Sequence, residues 1–416
     1  MRTKCLLIAL LLCCASGLQA APSIRLPEAI SDYLRLPTTP VKDQGMSGTC
    51  WSFAMTSLLE SELLRLGKGE HDLSEMYLVH MSYLDKLKLG QKFEEPDFVS
   101  EGFDMESALD QVIDYGMIKE QAFDGRSPKT RGDDRFSFHE EMAETLHFNA
   151  EQAINSTRTS VQFFWYFNYV RNLNAMMGEI PDAGSMHEQY TTNAKALTQL
   201  GINSSDYVVL TPSDQKDYQG YSRPWQSLSR QKRQKYIPKN KVIAMIKHAL
   251  KRGYTVVWAG DVGLDGFSYG LGVAQGGVID DEEDEDEDIN ESAEGGGSFR
   301  SKRRSDCFQY MYGRADGDED NGQCPAPEEH EPALHAMHIV GLATDKVGNE
   351  YFATKNSWGD NNFRDGYLYM DEEYIENATW SLLTHMDAIN GGMREDLFSS
   401  ADLPPEEERD TAAMFE

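Results

Sequence analysis

Cys50 stands six residues after Gln44 in the run Gln44-Gly-Met-Ser-Gly-Thr-Cys50-Trp51-Ser-Phe-Ala, a spacing that can build a nucleophile and an oxyanion hole together. A thiol attacks as its thiolate, which unpaired N–H groups and the positive end of a helix both favour. A glutamine amide and the N–H of Cys50 itself could donate to a developing oxyanion. Far downstream lie His335-Ala-Met-His-Ile-Val-Gly341 and Tyr351-Phe-Ala-Thr-Lys-Asn356-Ser-Trp358-Gly359. An imidazole can take the thiol proton, and an asparagine can hold the imidazole in a productive orientation. Cys50, His335, Asn356 and Gln44 are therefore the candidate catalytic residues, and Trp358 could shield the Asn–His hydrogen bond from water. The bland alternative is a buried core cysteine and a satisfied core histidine.

These side chains need a helix start and two strands to hold them. From Trp51 on, Phe53, Ala54, Leu58, Leu59, Leu63, Leu64 and Leu66 recur at helical spacing and stop at Gly67, which puts Cys50 in the first turn. Both downstream stretches read as strands. Residues 43 to about 200 are mostly helical by period, with breaks at Gly67-Lys-Gly69, Glu95-Pro96 and Arg126 to Asp134. The aromatic run Phe163-Phe164-Trp165-Tyr166-Phe167, with Tyr169, reads first as a buried helix face and second as an oligomer contact. An amphipathic helix is expected from Lys239 to Arg252 and a strand from Tyr254 to Ala259.

The four catalytic candidates, in this order and context, resemble the papain-like cysteine peptidases. Ser47 stands where the papain branch usually carries a disulfide cysteine, and His335-Ala-Met is similar to the bleomycin hydrolase and aminopeptidase C branch. Leu73-Ser74-Glu75, Gly102-Phe-Asp-Met105, Tyr115-Gly-Met-Ile118 and Tyr254-Thr-Val-Val-Trp258-Ala-Gly-Asp261-Val-Gly263 extend the resemblance over about residues 36 to 375. It implies an α+β, two-lobed papain-like fold, with a helical lobe carrying Cys50, a β-rich lobe carrying His335 and Asn356, and a helical insertion. The expected layout is a signal peptide over 1–20, a peptidase domain over 21–394 and an acidic tail over 395–416. Within the domain, 21–240 is mainly the helical lobe with its insertion, 241–394 mainly the β lobe, and 280–305 an acidic disordered loop. The implied activity is hydrolysis of peptide bonds in peptides or proteins, with aminopeptidase action favoured and an endopeptidase with an open cleft, or a non-catalytic peptide-binding homologue, as alternatives. Peptide ligation through the same thioester is a further possibility. Relatives in this branch form a hexameric cage in which a C-terminal carboxylate holds the substrate amine. The tail Pro404 to Glu416 does not match that arm, so a homo-oligomer is only a possible partner state.

Arg2 and Lys4, the apolar run Leu6 to Cys14 and the small residues up to Ala20-Ala21 read as a secretory signal peptide, and so as a secreted or periplasmic enzyme. Acylation of Cys13 or Cys14 would make a lipoprotein instead, but no small residue precedes the acylated position. No other apolar run is long enough to span a bilayer. Of six cysteines, Cys50, Cys307 and Cys324 outlast the leader. Cys307 and Cys324 can pair across 16 residues and leave Cys50 free, or both can stay reduced in the loop. Such a bridge is worth roughly 3 kcal/mol in the chain-entropy view.

With 39 basic against 69 acidic residues and a net charge of −30, nucleic acid is excluded as a natural partner. Nine consecutive acidic residues, Asp280 to Asp288, precede the basic patch Arg300 to Arg304, and the stretch reads as a solvated loop or, more sharply, a regulatory or protease-sensitive one. Asp316-Gly-Asp318-Glu-Asp320-Asn-Gly322 offers alternate carboxylates for calcium, but its glycine falls one place late and its twelfth position is Pro327. Cys324, His330, His335 and His338 do not make a zinc site, because residues three apart on a strand face opposite ways. No metal and no cofactor is called for. Sequons at Asn155, Asn203, Asn290 and Asn377 matter only in a eukaryotic secretory pathway.

Overall fold

The computed structural model describes residues 29–181, 193, 195–213, 234–277, 332–390 and 392–397. The signal segment 1–20, the acidic stretch 280–305, Cys307, Cys324, the run Asp316–Gly322 and the tail from 398 lie outside the described residues. The helical part comprises α1 (Cys50–Arg65), α2 (Glu75–Phe93), α3 (Met105–Tyr115), α4 (His139–Ile154) and α5 (Thr159–Met177). Local signals set their ends. The chain leaves α1 through Gly67, whose φ of +70° suits a residue without Cβ. The Ser74 hydroxyl caps α2 by accepting from Tyr77 N at 3.0 Å, and Asp104 caps α3 from Ser107 N at 2.8 Å. Helix α1 is buried along nearly its whole length, from Trp51 to Leu63, because it runs between α2 and α3 on one side and the sheet on the other.

That sheet has the order β3-β2-β10-β4-β7-β8-β9-β6-β5, with β1 added to β7. Its strands are β1 (Ser31–Arg35), β2 (Tyr207–Pro212), β3 (Gln234–Ile237), β4 (Val256–Asp261), β5 (Phe267–Ser268), β6 (Val273–Ala274), β7 (Leu334–Thr344), β8 (Glu350–Lys355), β9 (Tyr367–Asp371) and β10 (Thr379–His385). Strand β7 is covered on both faces: α1 lies on one, and α6 (Val242–Lys251) on the other. It therefore reads as a near-continuous apolar run rather than an alternating one. Strand β4 starts two residues later than its sequence suggests and reaches Asp261, antiparallel to β7 with Gly260 opposite His335 and Trp258 opposite Met337. The expected helix at Lys239 to Arg252 is a short 3₁₀ turn, Lys239–Lys241, leading into α6.

The aromatic run on α5 departs from its first reading. Tyr169 is fully buried and donates to Tyr83 O at 2.8 Å, but Phe163, Phe164 and Phe167 are 71%, 54% and 59% exposed. The helix is apolar on two faces, and only the face carrying Tyr169, Leu173 and Met177 is drawn into the core.

Candidate active site

The chain enters α1 without a side-chain cap. Thr49 precedes the helix but makes no side-chain cap, because its hydroxyl is bonded to Ser47 Oγ at 2.6 Å instead. Gln44 is 5% exposed and locked at both ends of its amide. Its Oε1 accepts from Ser357 Oγ at 2.7 Å and its Nε2 donates to Ser47 O at 2.6 Å. An amide nitrogen carries two N–H groups, so one remains for a ligand. The Gln44 backbone is tied to the same strand exit, its N–H donating to Ser357 O at 2.8 Å.

His335 enters from β7, and Asn356 immediately follows β8. The two meet at 2.7 Å, Nε2 of His335 against Oδ1 of Asn356. That oxygen also accepts from Ser357 N at 2.8 Å. A backbone N–H can bond only to an acceptor, which identifies the atom as oxygen and makes His335 Nε2 the donor. The proton of the neutral ring is thus on Nε2, and the lone pair of Nδ1 is left to act as a base. Trp358 covers the pair, its ring centroid 4.5 Å from that of His335 at an angle of 33°. Trp358 is itself held by Tyr269, whose hydroxyl donates to Trp358 O at 2.6 Å and whose ring meets the indole edge-on at 5.2 Å.

Burial pushes the Cys50 thiol up to about 11, and it outweighs the backbone N–H groups of Ala336, Trp51 and Cys50 that favour the thiolate. Burial likewise holds His335 down at about 4, with the bond to Asn356 opposing. Burial thus disfavours the charged form of both groups, against the helix-end N–H groups that favour the thiolate. Desolvation acts on every atom of the half-buried thiol, whereas each N–H contributes only along its own direction.

Behind Asn356 lies a small cavity of about 20 Å³ lined by Phe53, Ser57, Glu60, His338, Lys355 and Asn356 among others. Its walls carry a buried polar chain. Ser57 Oγ is bonded to His338 Nδ1 and to Lys355 Nζ, both at 2.9 Å, and Lys355 also donates to Thr39 Oγ1 at 3.0 Å. Thr39 donates to Glu60, whose other oxygen accepts from Leu73 N at 2.8 Å and pairs with Lys42 at 3.5 Å. Lys42 also pairs with Glu75 at 2.8 Å. Burial lowers Lys355 and raises Glu75, and the opposite charges around each work against that shift. The chain ties α1 to the strand that ends in Asn356.

The structure thus gathers Gln44, Cys50, His335, Asn356 and Trp358 at one place, with the Cys50 sulfur beside the backbone of Ala336. The sequence reading missed Ser357 and Tyr269 as supports, and it missed the chain Ser57–Lys355–Glu60. Ser357 lies between two singled-out residues and could have been noticed; Tyr269 comes from a loop with no pattern.

A family model described as papain family cysteine protease matches residues 30–209 and 319–381 of the chain, segments that contain all five residues. A viral cathepsin of Heliothis zea nuclear polyhedrosis virus is 29% identical over 106 residues, which are 22% of this chain and 29% of that protein. A viral cathepsin of Spodoptera litura multicapsid nucleopolyhedrovirus is 30% identical over 100 residues, 20% of this chain and 29% of that protein. The chain spans about 29% of the length of these curated relatives in the aligned region. The crystal structure of PepW from Lactobacillus rhamnosis shares the fold with a TM-score of 0.58 at 15% identity, covering 88% of this chain and 84% of that one.

Proposed function

The chain belongs to the papain family of cysteine proteases, and from that premise we propose that it hydrolyses peptide bonds through Cys50, His335 and Asn356, with Gln44 in the oxyanion hole. One observation carries the reading: Asn356 Oδ1 accepts from both His335 Nε2 and Ser357 N, leaving Nδ1 of His335 as a base. The Cys50 sulfur bonds to the scissile carbonyl carbon as the thiol proton passes to His335. The carbonyl oxygen gains charge and takes N–H groups from Gln44 and Cys50. As the C–N bond breaks, the imidazolium gives its proton to the leaving amine, and a thioester remains on Cys50. Water then attacks the thioester, losing a proton to His335, and the C–S bond breaks to return the thiol. A neutral His335 suits this cycle, because only the neutral ring can accept the first proton.

Aminopeptidase action, in the manner of the bleomycin hydrolase and aminopeptidase C branch, is the finer reading. It rests on Ser47, on His335-Ala-Met and on the fold shared with PepW over most of both chains. The second reading is an endopeptidase, favoured by the local similarity to viral cathepsins. Secretion by way of residues 1–20, a Cys307–Cys324 bridge and assembly through the exposed aromatic face of α5 complete the proposal. The test is a mass-spectrometric time course on one peptide with a free and with an acetylated N-terminus, using Cys50→Ala as control. Stepwise N-terminal loss from the free peptide alone establishes an aminopeptidase, and internal cuts in both establish an endopeptidase. No cleavage beyond the Cys50→Ala control refutes both.

A further inference from the structure

Glu101 stands close to Cys50 with one carboxylate oxygen that makes no hydrogen bond. Its Oε1 is buried without a hydrogen bond and faces His139 Nδ1 at 3.5 Å, a contact that becomes an ion pair when that ring is protonated. The side chain is 11% exposed. It packs directly on the segment that leads into the nucleophile. A Cβ added to Gly48 would lie 3.0 Å from Glu101 Cβ and 3.1 Å from Oε2, so only glycine fits there without a shift. The carboxylate is close enough to Cys50 for its charge to oppose the thiolate.

The position is built rather than accidental. Lys86, fully buried, donates to the backbone carbonyls of Ser100, Glu101 and Gly102. The Trp51 indole, one residue past the nucleophile, donates to Glu101 O at 3.1 Å. The loop backbone is therefore strapped to α1 and α2, and the Glu101 side chain has little freedom to seek water. A carboxylate oxygen kept dry without a hydrogen bond is costly unless a cation, His139 or a ligand, compensates it.

We infer that Glu101 is a specificity-determining residue that binds a cationic nitrogen on the substrate residue just before the scissile bond. This rests on the peptidase reading above. In that reading the leaving amine must lie against His335, so the acyl part extends the other way, over the 44–50 segment that Glu101 borders. An ammonium brings three N–H donors to a carboxylate whose Oε1 accepts no hydrogen bond. The nitrogen is either the free α-amine of a peptide or the side chain of a lysine or arginine at that position. The first source would give an amine-selective enzyme with a carboxylate supplied from within the cleft.

The test measures equilibrium affinity in the Cys50→Ala protein, where turnover plays no part, with and without Glu101→Gln. The probes are tetra-alanine amide, its acetylated form, and acetyl-Ala-Ala-Arg-Ala amide. Glu101→Gln is expected to weaken one or both cationic peptides by about tenfold or more, the span of a charge-assisted hydrogen bond, while the neutral acetylated peptide stays within about twofold. Loss confined to tetra-alanine amide identifies the α-amine, and loss confined to the arginine peptide identifies the side chain; either supports the assignment. Equal weakening of all three probes, no change in any, or no measurable binding of the cationic peptides overturns it. Glu101→Asp keeps the charge and is expected to retain part of the preference. Absence of Cys50-dependent cleavage by the native chain would be seen separately, and would refute the peptidase reading alone.

Discussion

Removing the Ser357 hydroxyl is expected to slow catalysis through a residue it never shares with substrate. In Ser357→Ala the Gln44 Oε1 loses its 2.7 Å donor while staying in a site where Gln44 is 5% exposed. The amide cannot simply turn over, because the reversed oxygen would face Ser47 O, which now accepts from Nε2 at 2.6 Å. The loss of one buried neutral hydrogen bond is worth about 1–1.5 kcal/mol. That energy holds the remaining N–H on the oxyanion, which exists in the transition state and not in bound substrate. The expected result is a fall of about tenfold in kcat at unchanged KM. Gln44→Ala, which deletes the donor itself, should cost about 10²–10³ in kcat. Steady-state kinetics on a fluorogenic peptide, read as a double-mutant cycle, separates this from general damage. Ser357→Ala should then change kcat by less than about twofold in the Gln44→Ala background, since the group it positions is gone. Equal losses in both backgrounds, or a raised KM with kcat intact, refutes the reasoning.

Glu60→Gln breaks the buried chain between α1 and the Asn356 strand and leaves Lys42 and Lys355 with less opposing charge. It should lower unfolding free energy by about 3 kcal/mol in urea titration. His335 is held at about 4 in the fold against 6.5 when free. Its contribution to stability is thus complete above pH 6.5 and is lost as pH falls through 4, because the unfolded chain takes up the proton first. In His335→Gln the drop in stability between pH 7 and pH 4.5 should shrink by about 2–3 kcal/mol; His80 and His338, shifted the same way by burial, add their own slope in both proteins. Gly260→Ala would place a Cβ 2.0 Å from the Trp258 ring and 2.5 Å from Ala378 O, opposite His335. It should destabilise by about 3 kcal/mol in the same titration and reduce activity through the displaced strand.

The helix start at Cys50 and the strands of His335 and Asn356 were legible because each follows from a local pattern: a helical period closed by Gly67, and apolar runs of strand length. The residues that make the site rigid were less so. Glu60 sits inside an apolar helical run, and charges are normally read as the solvated face of a helix. Here α1 has almost no solvated face, so Ser57 turns inward to meet Lys355 and Glu60 to meet Thr39, which Lys355 also bonds. The opposite error occurred on α5, where Phe163, Phe164 and Phe167 suggest a core yet stay exposed, because packing on α4 and α2 uses only one of its two apolar faces. Helix-end N–H groups at Cys50 are visible in sequence, whereas the burial that opposes them is not.

The central claim is that Cys50 forms a thioester with the acyl part of its substrate. Intact-mass analysis of acid-quenched protein, taken within the first turnover of an activated peptide ester, tests it directly. The account predicts a transient mass gain equal to the acyl group, mapped to Cys50, absent in Cys50→Ala and slowed in His335→Ala. Turnover of the ester without such an adduct, or turnover undiminished in Cys50→Ala, would contradict it.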